Sequence, residues 1–143
     1  MIAAFAFGPS AGFLTGSMSA FVSNFIFGQG AWTPWQMFAY GLAGFLAGIL
    51  CQKGIMNPDK RLRTSIIGGV MIVVLIGPLL DTCSVFMMSS IMSKAAVISI
   101  YGAGVPVNLI HASGVFLTLL LLGKPMMEKL DRIIIKYGLD RSM

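Results

Sequence analysis

The chain has 143 residues, 57% hydrophobic and 10% charged, and ten Lys/Arg against five Asp/Glu leave it a net charge of +5. A soluble domain usually carries about 25% charged residues, so this chain has too little charge to cover a water-facing surface. Disorder, a disulfide scaffold and an ordinary soluble enzyme are excluded, and an all-α integral membrane helical bundle is expected.

The chain opens with an apolar stub, residues 1–7, that runs into Gly8-Pro9. It is too short to span and has no basic flank or cleavage site of a signal peptide. It reads as the inner end of a helix whose beginning is absent, so the chain is expected to be N-terminally truncated or to start at an internal methionine.

Apolar runs follow at residues 11–27, 35–50, 65–88 and 106–122, the third interrupted by Gly77-Pro78. At about 1.5 Å per residue each is long enough, with tilt or flanking residues, to cross about 30 Å of hydrocarbon, and none alternates like a barrel strand. The expectation is four transmembrane helices in a single membrane domain. Residues 125–139 read as a separate interfacial helix. Met126, Met127, Leu130, Ile133, Ile134 and Tyr137 recur there at helical spacing among Glu128, Lys129, Asp131, Arg132 and Lys136, and Gly138 is a plausible stop. It is either the solvated end of the last helix or a docking surface.

The connectors differ in charge. Residues 52–63 hold Lys53, Lys60, Arg61 and Arg63 against Asp59, and the tail holds Lys124, Lys129, Arg132, Lys136 and Arg141. Residues 28–34 are uncharged and 89–105 carry only Lys94. The positive-inside rule puts the first pair in the cytoplasm and the second outside, in agreement with the parity of the spans. The basic excess therefore reports orientation in a bilayer, not nucleic acid. Gly12, Gly16 and Ala20 form a small-residue stripe on the first run, and Ala39, Ala43 and Ala47, beside Gly44 and Gly48, form one on the second. In lipid such stripes mark close helix contacts, here expected to be packing within one bundle.

Polar residues inside apolar runs are costly and are the functional candidates. Asp81 lies roughly 24 Å along the third run from Ser65, and Asn24 roughly 21 Å along the first from Ser10. Gln36 starts the second run, and Asn108 and His111 are expected in the first turns of the fourth. All fall at one level near the outer surface, beneath the loop that carries Gly28, Gln29, Gly30 and Trp32. Each has a bland reading as a cap, a satisfied interior group or an aromatic belt residue. Together they suit a small organic ligand held at the outer face, and the apolar lower halves of the runs argue against an ion channel. Two tryptophans, Tyr101 and the amides suit a flat ring system such as a flavin. No nucleotide-binding or hydrolase motif is present, Cys51 and Cys83 lack metal-ligand spacing, and no cofactor, metal or catalytic role is expected.

The segment from Gly8 to Leu50 closely resembles the substrate-binding S components of energy-coupling factor (ECF) transporters. Gly8, Pro9 and Gly12 match that family's turn, and Gly28, Gln29, Gly30 and Trp32 match its loop. Pro106 and Asn108 match the Pro-x-Asn start of its last helix. Ser10 stands where the family usually has lysine.

The resemblance implies a six-helix fold with both termini cytoplasmic, of which this chain would be the last part. It implies residence in the cell membrane and partnership with a transmembrane coupling subunit and two ATPase subunits. It also implies capture of a vitamin, with a corrinoid such as cobalamin compatible with the loop, and a lid role for residues 28–34. The competing expectation is a structural or assembly subunit without its own ligand.

The topology is testable with the native cysteines replaced. Lys60→Cys is expected to react with an impermeant maleimide only in inverted vesicles, and Ala31→Cys only in intact cells; the opposite pattern reverses the assignment.

Overall fold

A computed structural model describes residues 1–88 and 93–138. Residues 89–92 of the expected outer connector, and Leu139 and Arg141 of the tail, lie outside the described residues. The elements are α1 (Ile2–Phe7), α2 (Pro9–Phe27), α3 (Thr33–Gln52), α4 (Arg61–Met71), a π-helical segment (Ile72–Ile76), α5 (Gly77–Met88) and α6 (Lys94–Tyr137). The molecule is an all-α membrane bundle.

Among the described residues, three stretches are long and apolar enough to cross a membrane: Thr33–Gln52, Arg61–Met87 and Lys94–Tyr137. The expected run 11–27 forms α2, a 19-residue helix. Thr15, Ser17, Ser19, Ser23 and Asn24 make it less apolar than these three.

The stub is helix α1, and Ala4 and Ala6 are each only 2% exposed. Gly8 separates α1 from α2 at φ 90°, ψ 178°, a left-handed region open to glycine, and Pro9 starts α2 where a missing N–H costs nothing.

Helices α2 and α3 meet backbone to backbone. A Cβ on Gly12 would stand 2.5 Å from the Gly44 carbonyl oxygen, one on Gly48 would stand 2.6 Å from Pro9 Cα, and one on Gly16 would overlap the Tyr40 carbonyl. Ser17 adds a hydrogen bond to the Met37 carbonyl at 2.9 Å. Ala39, Ala43 and Ala47 face inward, where they form one core with Ala4, Met56, Met71, Ile72, Ile76, Ala112 and Leu119. The small-residue stripes are therefore packing surfaces within the bundle.

The third run is continuous from Arg61 to Met88 through the π turn. Pro78 has no N–H to donate and its ring crowds the preceding turn, and the π segment just before it takes up the misfit.

The largest departure from expectation is α6. The helix starts at Lys94 rather than Pro106, and it runs on through Pro125 without a separate interfacial helix. Ser93 caps it, its hydroxyl accepting from the Ala96 N–H at 3.1 Å. A proline after an uncharged connector reads as a helix start, but Pro106 and Pro125 are both carried inside. At 44 residues α6 is about 66 Å long, roughly twice the hydrocarbon thickness. Its last turns return to the bundle, with Met127 and Ile134 buried against Ala6 and against partly buried Phe5 and Leu130.

Gly16→Val and Gly44→Val are expected to lower stability in detergent by roughly 1–3 kcal/mol or more through overpacking. Gly114→Ala, where nothing stands within 4 Å, is expected to be neutral or mildly stabilising. Thermal unfolding of the purified variants checks both.

Candidate functional site

Two polar clusters form at the end of the bundle where α2 passes into α3. The first centres on Thr33, which is 6% exposed. Its hydroxyl accepts from Asn24 Nδ2 at 3.0 Å and from the Gly30 N–H at 3.2 Å, and donates to Gln29 Oε1 at 3.0 Å. The second hydrogen of Asn24 Nδ2 goes to Gln36 Oε1 at 2.8 Å. The bonds use one half of the Asn24 amide and one half of the Gln36 amide. The Asn24 carbonyl oxygen and the Gln36 amide nitrogen make none of these bonds, and both residues border the same space.

That space is a cavity of about 650 Å³ between α2, α3, the π segment and α6. Its polar wall is built from Ser19, Ser23, Asn24, Gln36, Tyr40 and His111, and its apolar wall includes Phe27, Ile72 and Val115. Among the described residues, no Asp, Glu, Lys or Arg side chain lines it. The volume and the few converging polar groups fit a small-molecule pocket. Thr15, Ser19 and Ser23 stand four residues apart on α2, so one helix face brings all three residues to the cavity, where the Thr15 and Ser19 hydroxyls bond back to the Ala11 and Thr15 carbonyls.

The second cluster joins α5 to α6. Asn108 Nδ2 donates to Asp81 Oδ2 at 2.8 Å. Glycines make room for the pair: a Cβ on Gly77 would stand 2.5 Å from Asn108 Cγ, and one on Gly104 would overlap the Asp81 carboxylate. Nearby, the Thr82 and Tyr101 hydroxyls share a hydrogen bond at 2.7 Å, and Trp35 Nε1 donates to the Leu79 carbonyl at 2.8 Å. Trp35 is thus a tie between α3 and α5. A void of about 80 Å³ lined by Tyr40, Ile76, Asn108 and His111 lies between this cluster and the cavity.

The structure thus brings Asn24, Gln36 and His111 to one cavity. It sets Asn108 behind it against Asp81, which is tied to α6 rather than aimed into that space. Because α6 starts at Lys94, Asn108 and His111 stand about 21 Å and about 26 Å along it, not in its first turns.

Trp32 does not line the cavity either. It is 43% exposed, its ring occupies the space beside Gly30, and it borders a second groove of about 550 Å³ with Leu80, Cys83 and Met87. Gln36 is common to the groove and the cavity. In the loop, Gly28 has φ 107°, which disfavours any side chain there.

Thr33, Tyr40 and the α2 hydroxyls were not among the residues singled out from sequence. The four-residue spacing of Thr15, Ser19 and Ser23 was the available signal for the hydroxyls. Thr33 had none, because its role depends on the loop geometry.

A family model described as ECF-type riboflavin transporter, S component, matches residues 1–128. No curated protein and no solved structure matches the chain.

Thr33→Val is expected to strand one Nδ2 hydrogen of buried Asn24 and to lower the unfolding free energy by about 1–3 kcal/mol, with Thr33→Ser restoring most of it. Thermal unfolding of both variants in detergent checks this.

Proposed function

The chain belongs to the ECF-type riboflavin transporter S component family, and on that premise we propose that it captures riboflavin at the outer face of the cell membrane. Its partners would be a transmembrane coupling subunit and two ATPase subunits, which would supply the energy for uptake. The chain itself would hydrolyse nothing, and its C-terminus would lie in the cytoplasm. Of the two ligand classes expected from sequence, the family description favours the flavin over the corrinoid.

One observation carries the reading: Asn24 and Gln36 converge with Tyr40 and His111 on a cavity free of charged side chains. Riboflavin is a neutral, flat, fused-ring molecule with a pyrimidinedione edge. That edge presents carbonyl acceptors on either side of an N–H donor. The Gln36 amide nitrogen is free to donate to a carbonyl and the Asn24 carbonyl oxygen is free to accept from the N–H. Phe27, Ile72 and Val115 offer apolar surface to the ring system. A wall without charged side chains also limits the cost of stripping water from buried charge when a neutral ligand enters. The loop at 28–34 would act as a lid, and Gln36, bordering both the cavity and the groove beneath Trp32, would link its position to occupancy.

Gln36→Ala and Asn24→Ala are each expected to weaken riboflavin binding about tenfold, the worth of roughly one hydrogen bond. Quenching of flavin fluorescence on titration of the purified chain in detergent measures this. A chain that binds no riboflavin, or variants that bind it unchanged, would overturn the assignment and favour an assembly subunit.

A further inference from the structure

The two amides that border the cavity can each be turned two ways, and a ring with a polar edge reads the difference. An amide offers an acceptor on one side and donors on the other, and its partners decide which side is left over. Reversing both would make Asn24 donate and Gln36 accept. That pattern opposes the N–H and the carbonyl of the flavin edge instead of pairing with them.

Two backbone groups that cannot be reversed fix the direction. The Phe21 carbonyl only accepts, and Gln29 Nε2 donates to it at 3.5 Å. That leaves Gln29 Oε1 to accept the Thr33 hydroxyl hydrogen at 3.0 Å. The Gly30 N–H only donates, and it takes one lone pair of Thr33 Oγ1 at 3.2 Å. A hydroxyl has one hydrogen and two lone pairs, so Thr33 has only its second lone pair left for Asn24. Asn24 must therefore offer Nδ2, at 3.0 Å, and the other hydrogen of that nitrogen goes to Gln36 Oε1 at 2.8 Å. The Asn24 oxygen and the Gln36 nitrogen are what remains for a ligand.

We infer that Gln29 is a positioning residue that sets the hydrogen-bond polarity of the cavity, by holding the Thr33 hydroxyl so that Asn24 accepts from the ligand and Gln36 donates to it. The inference rests on the riboflavin reading of the cavity. Gln29 is exposed in the loop and does not line the cavity, so it acts through Thr33.

The consequence of losing Gln29 follows from burial. Without an acceptor at position 29, the Thr33 hydroxyl hydrogen would be unpaired at a residue only 6% exposed. A buried donor without a partner costs more than a typical hydrogen bond contributes. Turning that hydrogen to Asn24 and reversing both amides removes the cost and keeps the bonds from Asn24 to Thr33 and Gln36. Loss of the Gln29 acceptor thus reverses the pattern the cavity offers, rather than only loosening the loop.

The experiment titrates the full chain in detergent with riboflavin and with 3-methylriboflavin, in which a methyl group replaces the hydrogen of the edge N–H. Flavin fluorescence reads both. The native chain is expected to prefer riboflavin at least about tenfold, the worth of roughly one hydrogen bond. Gln29→Leu is expected to narrow that preference about tenfold, because riboflavin forfeits both edge bonds and the methylated ligand has only the carbonyl bond to forfeit. Gln29→Glu still accepts from Thr33 and is expected to keep the native preference, whatever its absolute affinity.

A residue that served only the fold of the loop would weaken both ligands by the same factor. An equal loss in Gln29→Leu, a preference that survives that substitution, a preference lost in Gln29→Glu, or a native chain that binds both flavins alike overturns the inference and leaves riboflavin capture standing. No riboflavin binding by the native chain overturns both.

Discussion

The close approach of α2 and α3 is the contact on which the rest of the molecule depends. In lipid no hydrophobic force drives one helix onto another, so the pair is held by packing and by the few polar bonds it makes. Gly12 and Gly16 bring the α2 backbone against Gly44 and Tyr40 of α3, leaving no space for a Cβ at either glycine. Ser17 ties the same faces together through the Met37 carbonyl. With the two helices pinned along this seam, their far ends present Asn24 to Thr33 and Gln36 in one register. Small residues at one part of the interface thereby set amide geometry at another.

The opposite wall is built on a different device. The helix that carries Gly77-Pro78 does not break. It loosens into a π turn over Ile72–Ile76, and Ile72 and Ile76 from that turn enter the core. Asp81, one turn farther along, meets Asn108 across a gap kept narrow by Gly77 and Gly104. A carboxylate in a membrane segment is costly unless it is partnered, and the Asn108 amide partners it. This bond draws α6 toward α5, and His111, about one turn beyond Asn108, comes to the cavity as a consequence. The proposed ligand site is thus a gap between two independently fastened pairs, α2 with α3 and α5 with α6.

The chemistry of that gap is selective by what it omits. Apart from Asp81, charged side chains cluster at the basic loop and the helix ends, while the cavity wall offers amides, hydroxyls, one imidazole and apolar surface. Such a wall discriminates by hydrogen-bond pattern rather than by charge, which suits a neutral ring with a polar edge.

Composition alone determined that this is a membrane helical bundle, because 10% charged residues cannot solvate a globular surface. Small-residue spacing marked the packing faces correctly, since helical periodicity is local and survives any tertiary arrangement. Asn24, Gln36 and His111 were legible as candidates because polar groups in apolar runs are rare. Two things were not legible. Pro106 looked like a helix start, and only the Ser93 cap and the packing around α6 decided that the helix runs through it. Depth along each run placed Asp81 and Trp32 at the same level as the amides, but depth says nothing of direction around the helix axis. Which side chains face the cavity, and that Asp81 is consumed by Asn108 while Thr33 organises the loop, depends on how each helix is rotated against its neighbours. That rotation is set by the glycine seam and the cross-helix bonds, which exist only once the bundle has assembled.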